Sequence, residues 1–181
     1  MNSMSKKYYN NCEKNSYERE EEKCPTIIKC GCPQSVTLPP ISADILNGDV
    51  TLASLTLDTS CICDPVIKLD FTSVFATLLD ITIGGISVQI YKQCKGQVTP
   101  TPVGPSWPVT GEIAAGVLAA PSYVSFFVCD SDSCEGECCT YTAVANVSGG
   151  VSVGLAAGFT NSTLSATVTC RSNQCQRKCK K

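Results

Sequence analysis

Histidine is absent from the 181 residues, and with it go the usual general base near neutral pH and the commonest neutral metal ligand. Tryptophan occurs once, at Trp107, and aromatic residues make up only 7% of the chain. No apolar run reaches the roughly 18 residues a membrane helix needs. The N-terminal stretch MNSMSKKYYNNCEKNSYEREEEK lacks the basic and then apolar layout of a secretory signal. No C-x-x-C pair occurs among the 14 cysteines, although zinc ribbons and most iron–sulfur sites use that gap to bring two thiolates to one ion. A lone reactive cysteine would have no histidine to activate it. The sequence therefore predicts no enzyme, no cofactor and no metal site.

What is present in excess is cysteine, at a density approaching that of disulfide scaffolds. Disulfides persist outside the reducing cytosol, yet no export signal is evident. Synthesis in a sporulating mother cell that later lyses, releasing the protein to an oxidising exterior, satisfies both observations. The net charge of −2 is unevenly placed. The first 24 residues carry five bases and five acids, and the last eleven carry Arg171, Arg177, Lys178, Lys180 and Lys181 with no acid. The body from Pro25 to Cys170 has four bases against eleven acids. A net −7 there argues against a nucleic-acid partner, and nothing argues for a membrane one.

Residues 1–33 are expected to be an arm and connector. The first 23 have almost no aliphatic content and cannot offset the entropy of ordering. The segment CPTIIKCGCP that follows is short and bounded by cysteines and prolines. Residues 34–170 alternate between Val, Ile, Thr and Phe-rich runs and Gly, Pro, Asn or Asp punctuation, the layout of an all-β domain. Strands are expected at 35–38, 50–58, 66–77, 86–93, 107–113, 123–130, 140–148, 151–159 and 163–170. Ile67, Leu69, Phe71, Ser73 and Phe75 would face the core, with Val66, Lys68, Asp70, Thr72 and Val74 opposite. Leu164, Ala166 and Val168 repeat that alternation against Thr163, Ser165, Thr167 and Thr169. Gly149 and Gly150 read as a two-residue hairpin turn. Residues 97–108, with Pro100, Pro102, Pro105 and Pro108, read as an extended loop that cannot be a central strand. The whole predicts a two-sheet β-sandwich, jelly-roll-like, with a flexible N-terminal arm and a short basic tail over 171–181.

Two C-x-C pairs, Cys30 with Cys32 and Cys61 with Cys63, put both thiols on one side of an extended segment. Cys129, Cys134, Cys138 and Cys139 lie in the polar stretch CDSDSCEGECC, and Cys94 closes a strand. Thiols at strand ends and loops are available for cross-links. Asp58, Asp64 and Asp70 fall at alternating strand and turn positions and read as a solvated face rather than a metal or acid cluster. The patterns Asn146 to Ser148 and Asn161 to Thr163 match glycosylation acceptors but occur often by chance. Trp107 reads equally as a hydrophobic plug or a contact residue.

The segments CPTIIKCGCPQSVTLP, LTLDTSCICDPVIKLDF, IYKQCKGQVTPTPVGPSW, FFVCDSDSCEGECCTYTAVA and TLSATVTC resemble a clostridial family of cysteine-rich proteins known as a domain of unknown function, over about Cys24 to Cys170. The plan is also similar to that of endospore appendage subunits of bacilli. In those, a jelly-roll core augments its neighbour's sheet and a cysteine-bearing connector makes disulfides to earlier subunits. The resemblance implies that Cys24, Cys30 and Cys32 are connector cysteines. It implies intersubunit acceptors among Cys61, Cys63, Cys129, Cys134, Cys138, Cys139 and Cys170. The appendage subunits' adjacent-cysteine connector is replaced here by C-x-C, and the tail after Cys170 is additional.

The sequence thus points to a structural subunit that assembles with itself through non-closing head-to-tail contacts into a disulfide-cross-linked fibre or coat on a spore surface, with other coat proteins as further partners. Two alternatives remain open at this point. One is a ligand- or carbohydrate-binding jelly-roll module with Trp107, Tyr91 and Tyr123 as its platform. The other is a thiol-rich metal-binding protein.

Overall fold

The computed structural model describes residues 26–38, 47–60, 62, 64–77, 85–109, 121–131, 138–148 and 157–171. Nine strands are formed there: β1 (Ile27–Cys30), β2 (Gln34–Thr37), β3 (Asn47–Asp58), β4 (Pro65–Thr77), β5 (Gly85–Cys94), β6 (Thr101–Pro108), β7 (Ser122–Asp130), β8 (Cys138–Ser148) and β9 (Ala157–Cys170). No helix occurs among the described residues. The expected N-terminal arm, Met1 to Lys23, and nearly all of the basic tail lie outside them.

The strands form two antiparallel sheets packed face to face. One has the order β1-β9-β4-β7, with β2 also pairing β9, and the other has the order β3-β8-β5-β6. Counting β2 to β9 as eight successive strands, this layout is that of a jelly roll, two interleaved four-stranded sheets. The expected alternation holds. Ile67, Leu69, Phe71, Ser73 and Phe75 of β4 are all buried, as are Leu164, Ala166 and Val168 of β9. Leu52, Leu55 and Leu57 of β3, Val88 and Ile90 of β5, and Tyr141, Ala143 and Ala145 of β8 close the core from the other sheet. Burying each large apolar side chain contributes about 1.5–3 kcal/mol. Phe75 on Phe159 and Phe71 on Phe126, with ring centroids 4.9 and 5.3 Å apart, add the preference of aromatic pairs for tilted contact.

One expectation is corrected. Residues 101–108 form a strand, β6, despite Pro102, Pro105 and Pro108. It pairs β5 on one side only, so the prolines sit on an edge where missing N–H groups break no second ladder. The hairpin expected at Gly149–Gly150 lies outside the described residues. Both sides of β8 are occupied as far as Ser148 by β3 and β5, and β9 belongs to the other sheet. The connector pairs within its own chain. Ile27 to Cys30 pair with Val168 to Ser165 of the same chain's β9, and Gly31 donates its N–H to the Leu164 carbonyl at 2.9 Å. β2 continues along the same edge of β9.

Candidate functional site

Strand register brings thiols and apolar side chains together on the outer face of the β1-β9-β4-β7 sheet. Residues directly opposite in a ladder project from the same face. Cys30, Ser165, Asp70 and Phe127 form one such row, and Ile28, Thr167, Lys68 and Cys129 form the next. The middle of the face is hydroxylated, with Thr72, Thr163, Ser165 and Thr167. Each flank carries an exposed free thiol beside exposed apolar groups. On β1 these are Cys30 and Ile28, 71% exposed. On β7 they are Cys129, Phe127 (59%) and Tyr123 (81%). Lys68 bridges the two rows, with Nζ 2.6 Å from Asp70 Oδ1 and 5.1 Å from the Phe127 ring centre.

Four free thiols are found among the described residues, Cys30, Cys32, Cys129 and Cys138, and all are exposed. β1 and β7 are separated by three strand spacings, about 14 Å. A disulfide requires Cα atoms within about 7 Å. Cys30 and Cys129 therefore cannot bond to each other within one chain. Cys138 lies next to the buried Cys139 and opposite Asp58 on the outer face of the other sheet.

The remaining cysteines are placed as follows. Cys139, a candidate for an intersubunit bond, is instead bonded to Cys94 in its own chain. The two stand opposite each other on β8 and β5, facing the core, so no external thiol is left. Cys170 is likewise disulfide-bonded. Cys24, Cys61, Cys63 and Cys134 lie outside the described residues.

The three aspartates read as solvated do serve local roles. Asp58 Oδ1 accepts the Ser60 N–H at 3.0 Å. Hydrogen bonds from the Ser60 hydroxyl first, then from its N–H and the Cys138 thiol, hold the Asp58 carboxyl below its ordinary range. Asp70 pairs with Lys68 and Asp64 with Arg171. Among the described residues no group of three or more acidic or thiol side chains could hold a metal ion.

The expected aromatic platform is dispersed. Trp107 stacks on Phe126 between the two sheets' edges, Tyr123 lies on the outer face of one sheet, and Tyr91 lies on that of the other. There Tyr91 lines a groove of about 350 Å³ with Asp49, Thr51, Gln93, Thr140, Thr142 and Val144.

A further group was missed in the sequence. Lys92, Asp130 and Tyr141 meet inside the sandwich, with Lys92 Nζ 2.8 Å and Tyr141 Oη 2.7 Å from the same Asp130 oxygen. The signal was parity. Lys92 continues the inward series Ile86, Val88, Ile90, and Asp130 continues Phe126, Val128.

Fold and surface define an all-β jelly-roll sandwich that carries exposed thiols at opposite edges of one sheet. The chain belongs to the family described as a domain of unknown function, DUF4489, whose model matches residues 24–169. No curated protein matches it. Among solved structures it is similar to a chain of infectious bursal disease virus, Gx strain, at 12% identity and a TM-score of 0.33, covering 81% of this chain and 40% of that one. The Gt strain gives 14%, 0.31, 80% and 41%, and the VP2 subviral particle of the same virus 11%, 0.29, 82% and 42%. The chain thus spans about two fifths of these chains, and likeness at this level carries no functional implication.

Proposed function

We propose that this protein is a non-enzymatic structural subunit that assembles with copies of itself into a disulfide-cross-linked fibre or coat, and that the assembly belongs to a spore surface. The observation that carries the reading is the pair of exposed thiols Cys30 and Cys129, at opposite edges of one sheet and out of each other's reach. Exposed thiols at the two flanks are accessible to another chain under oxidising conditions.

Sheet direction favours a linear assembly. β1 runs antiparallel to β9, β9 to β4 and β4 to β7, so β1 and β7 run in opposite directions. A neighbouring copy related by translation alone therefore presents its β1 antiparallel to β7. Unpaired strand edges are templates for such pairing, and a contact of this kind that does not close generates an open filament. Tyr123, Phe127 and Ile28 supply apolar area at the junction. The spore-surface assignment rests on the resemblance to appendage subunits and on the cysteine content.

Electron microscopy of the purified full-length protein after oxidation is the test. Long ordered polymers that survive hot detergent, and dissociate in it once reductant is added, are expected. Only monomers, with all described thiols reactive, would end the reading. A second reading, a saccharide-binding module, is favoured by the Tyr91 groove with its hydroxyl-rich wall, and predicts glycan binding by monomers instead.

A further inference from the structure

The Lys92–Asp130 pair is an unusual thing to find between two sheets. Both side chains are only 6% exposed, and removing each charge from water costs several kcal/mol. Lys92 comes from β5 and Asp130 from β7, so the pair bridges the sheets. Tyr141, fully buried, stands opposite Lys92 on β8 and donates its hydroxyl to Asp130 Oδ2. Apolar side chains and a disulfide adjoin the pair. Leu55 lies across the ladder from Tyr141 and Ile67 across from Asp130, and the Cys94–Cys139 bond occupies the adjoining inward row.

An amine and a carboxyl group held at this distance differ from an amide only by one molecule of water. We propose that Lys92 and Asp130 condense into an intramolecular isopeptide bond joining β5 to β7. Proton transfer from the Lys92 ammonium to Oδ1 of the Asp130 carboxylate first gives a neutral amine and a neutral acid, so that neither group carries a charge. Nζ then attacks Cγ. Negative charge develops on Oδ2, where the Tyr141 hydroxyl already points, a donor placed in advance for a developing oxyanion. The Nζ–Cγ bond forms and the Cγ–Oδ1 bond breaks. Oδ1 leaves as water with one proton from the acid and one from the amine. No oxidation state changes and no co-reactant is required.

Two physical factors drive the step. Fixing both groups in one folded core replaces a bimolecular encounter, and well-oriented intramolecular reactions reach effective concentrations on the order of 10⁵–10⁸ M. A dry site also withholds the water that would reverse the reaction. The product replaces two buried charges with one neutral amide. This inference concerns the interior of a single subunit and does not depend on the assembly reading.

The test is the intact mass of the folded, full-length protein after denaturation and complete reduction. The expected value is the sequence mass less one water. Peptide mapping should find a branched species joining the segment around Lys92 to that around Asp130. Lys92→Met and Asp130→Ala should each restore the full sequence mass. A folded wild-type protein that retains the full sequence mass after prolonged incubation would overturn the proposal and leave an ordinary ion pair. So would a water loss that maps to any other position, such as an aspartate closing on its own backbone.

Discussion

Cys94 and Cys139 face each other across the β5–β8 ladder with their Cα atoms 3.9 Å apart, joined by a disulfide. The Cys94 N–H is turned away from its partner and donates to Gln97 Oε1 at 2.9 Å. The bond therefore crosses a pair without ladder hydrogen bonds, where opposed side chains come closest. It closes a loop of 45 residues, for which chain entropy predicts about 4 kcal/mol, with measured values commonly about 2–4 kcal/mol. Replacing both cysteines with alanine should lower unfolding free energy by that amount in guanidinium titrations and leave the strand signal of the native state unchanged. With reductant present, the wild type and the double variant should coincide.

Trp107 is 36% exposed, yet its ring stacks on Phe126 with centroids 5.1 Å apart and planes 12° from parallel. It joins β6 of one sheet to β7 of the other, and Gly104 makes the same junction tight. Gly104 has φ +70°, and a Cβ there would stand 2.8 Å from a Val128 methyl. Trp107→Ala should cost about 1–3 kcal/mol through lost apolar contact. Gly104→Ala should cost about as much through overpacking and a positive φ. Thermal unfolding followed by circular dichroism measures both.

The parts of the fold legible in the sequence are those where period-two patterning survives, as in β4 and β9, whose inward residues were read correctly one by one. Periodicity reports which face a residue takes and is silent on which strand lies beside it. That is why nothing in the patterning of β8 and β9 shows that they belong to different sheets. β6 was hidden because proline is judged against a strand with two neighbours, and this one has a single neighbour. The thiols were visible as residues. Their partners were not, because Cys94 and Cys139 become adjacent only through the β5–β8 register. Lys92 and Asp130 stood on inward-facing positions, but a charge there reads as an interruption until the opposite sheet supplies its counterpart.

Asp58 gives a modest pH dependence. Its carboxyl titrates below the ordinary range in the folded state, because the Ser60 hydroxyl, the Ser60 N–H and the Cys138 thiol hydrogen-bond the ionised form. A depressed folded value means the unfolded chain binds the proton more readily. The stabilisation is thus present above the unfolded value and lost as pH falls through the folded one. Asp58→Asn should narrow the stability difference between neutral pH and about pH 3. An unchanged acid limb in denaturant titrations would show that Asp58 does not contribute.

The Ser73 and Ser162 hydroxyls are paired at 2.8 Å in a buried position at a β4–β9 irregularity. Ser73→Ala leaves the Ser162 hydroxyl without that partner, and a stranded buried hydroxyl costs about 1–3 kcal/mol. Ser73→Ala combined with Ser162→Ala should cost less than the single change, since no stranded group remains. A double variant less stable than either single variant would show that packing, rather than polar satisfaction, governs the site.

Gly31 controls whether the Cys30 edge exists at all. It lies between Cys30 and Cys32, and its N–H donates to the Leu164 carbonyl at 2.9 Å. A Cβ at this position would itself stand 2.9 Å from that carbonyl oxygen and 3.5 Å from the Ser54 carbonyl. Both are main-chain atoms of long core strands, so the side that must give way is the short one. Gly31→Ala should lift β1 from β9, while the ladders among β3 to β9 remain. Hydrogen exchange would read this directly. Ladder amides of Ile27 to Cys30, and those of Ser165 to Val168 that face β1, should lose protection, and amides of β5 and β8 should keep theirs. Because β1 presents one of the two flanking thiols, oxidised polymers of the variant should also be shorter and more soluble in hot detergent. Retained protection in β1 would mean that β9 yields instead. Lost protection with undiminished polymers would mean that Cys30 acts from a detached segment, and that pairing of β1 with its own sheet is not the cross-linking geometry.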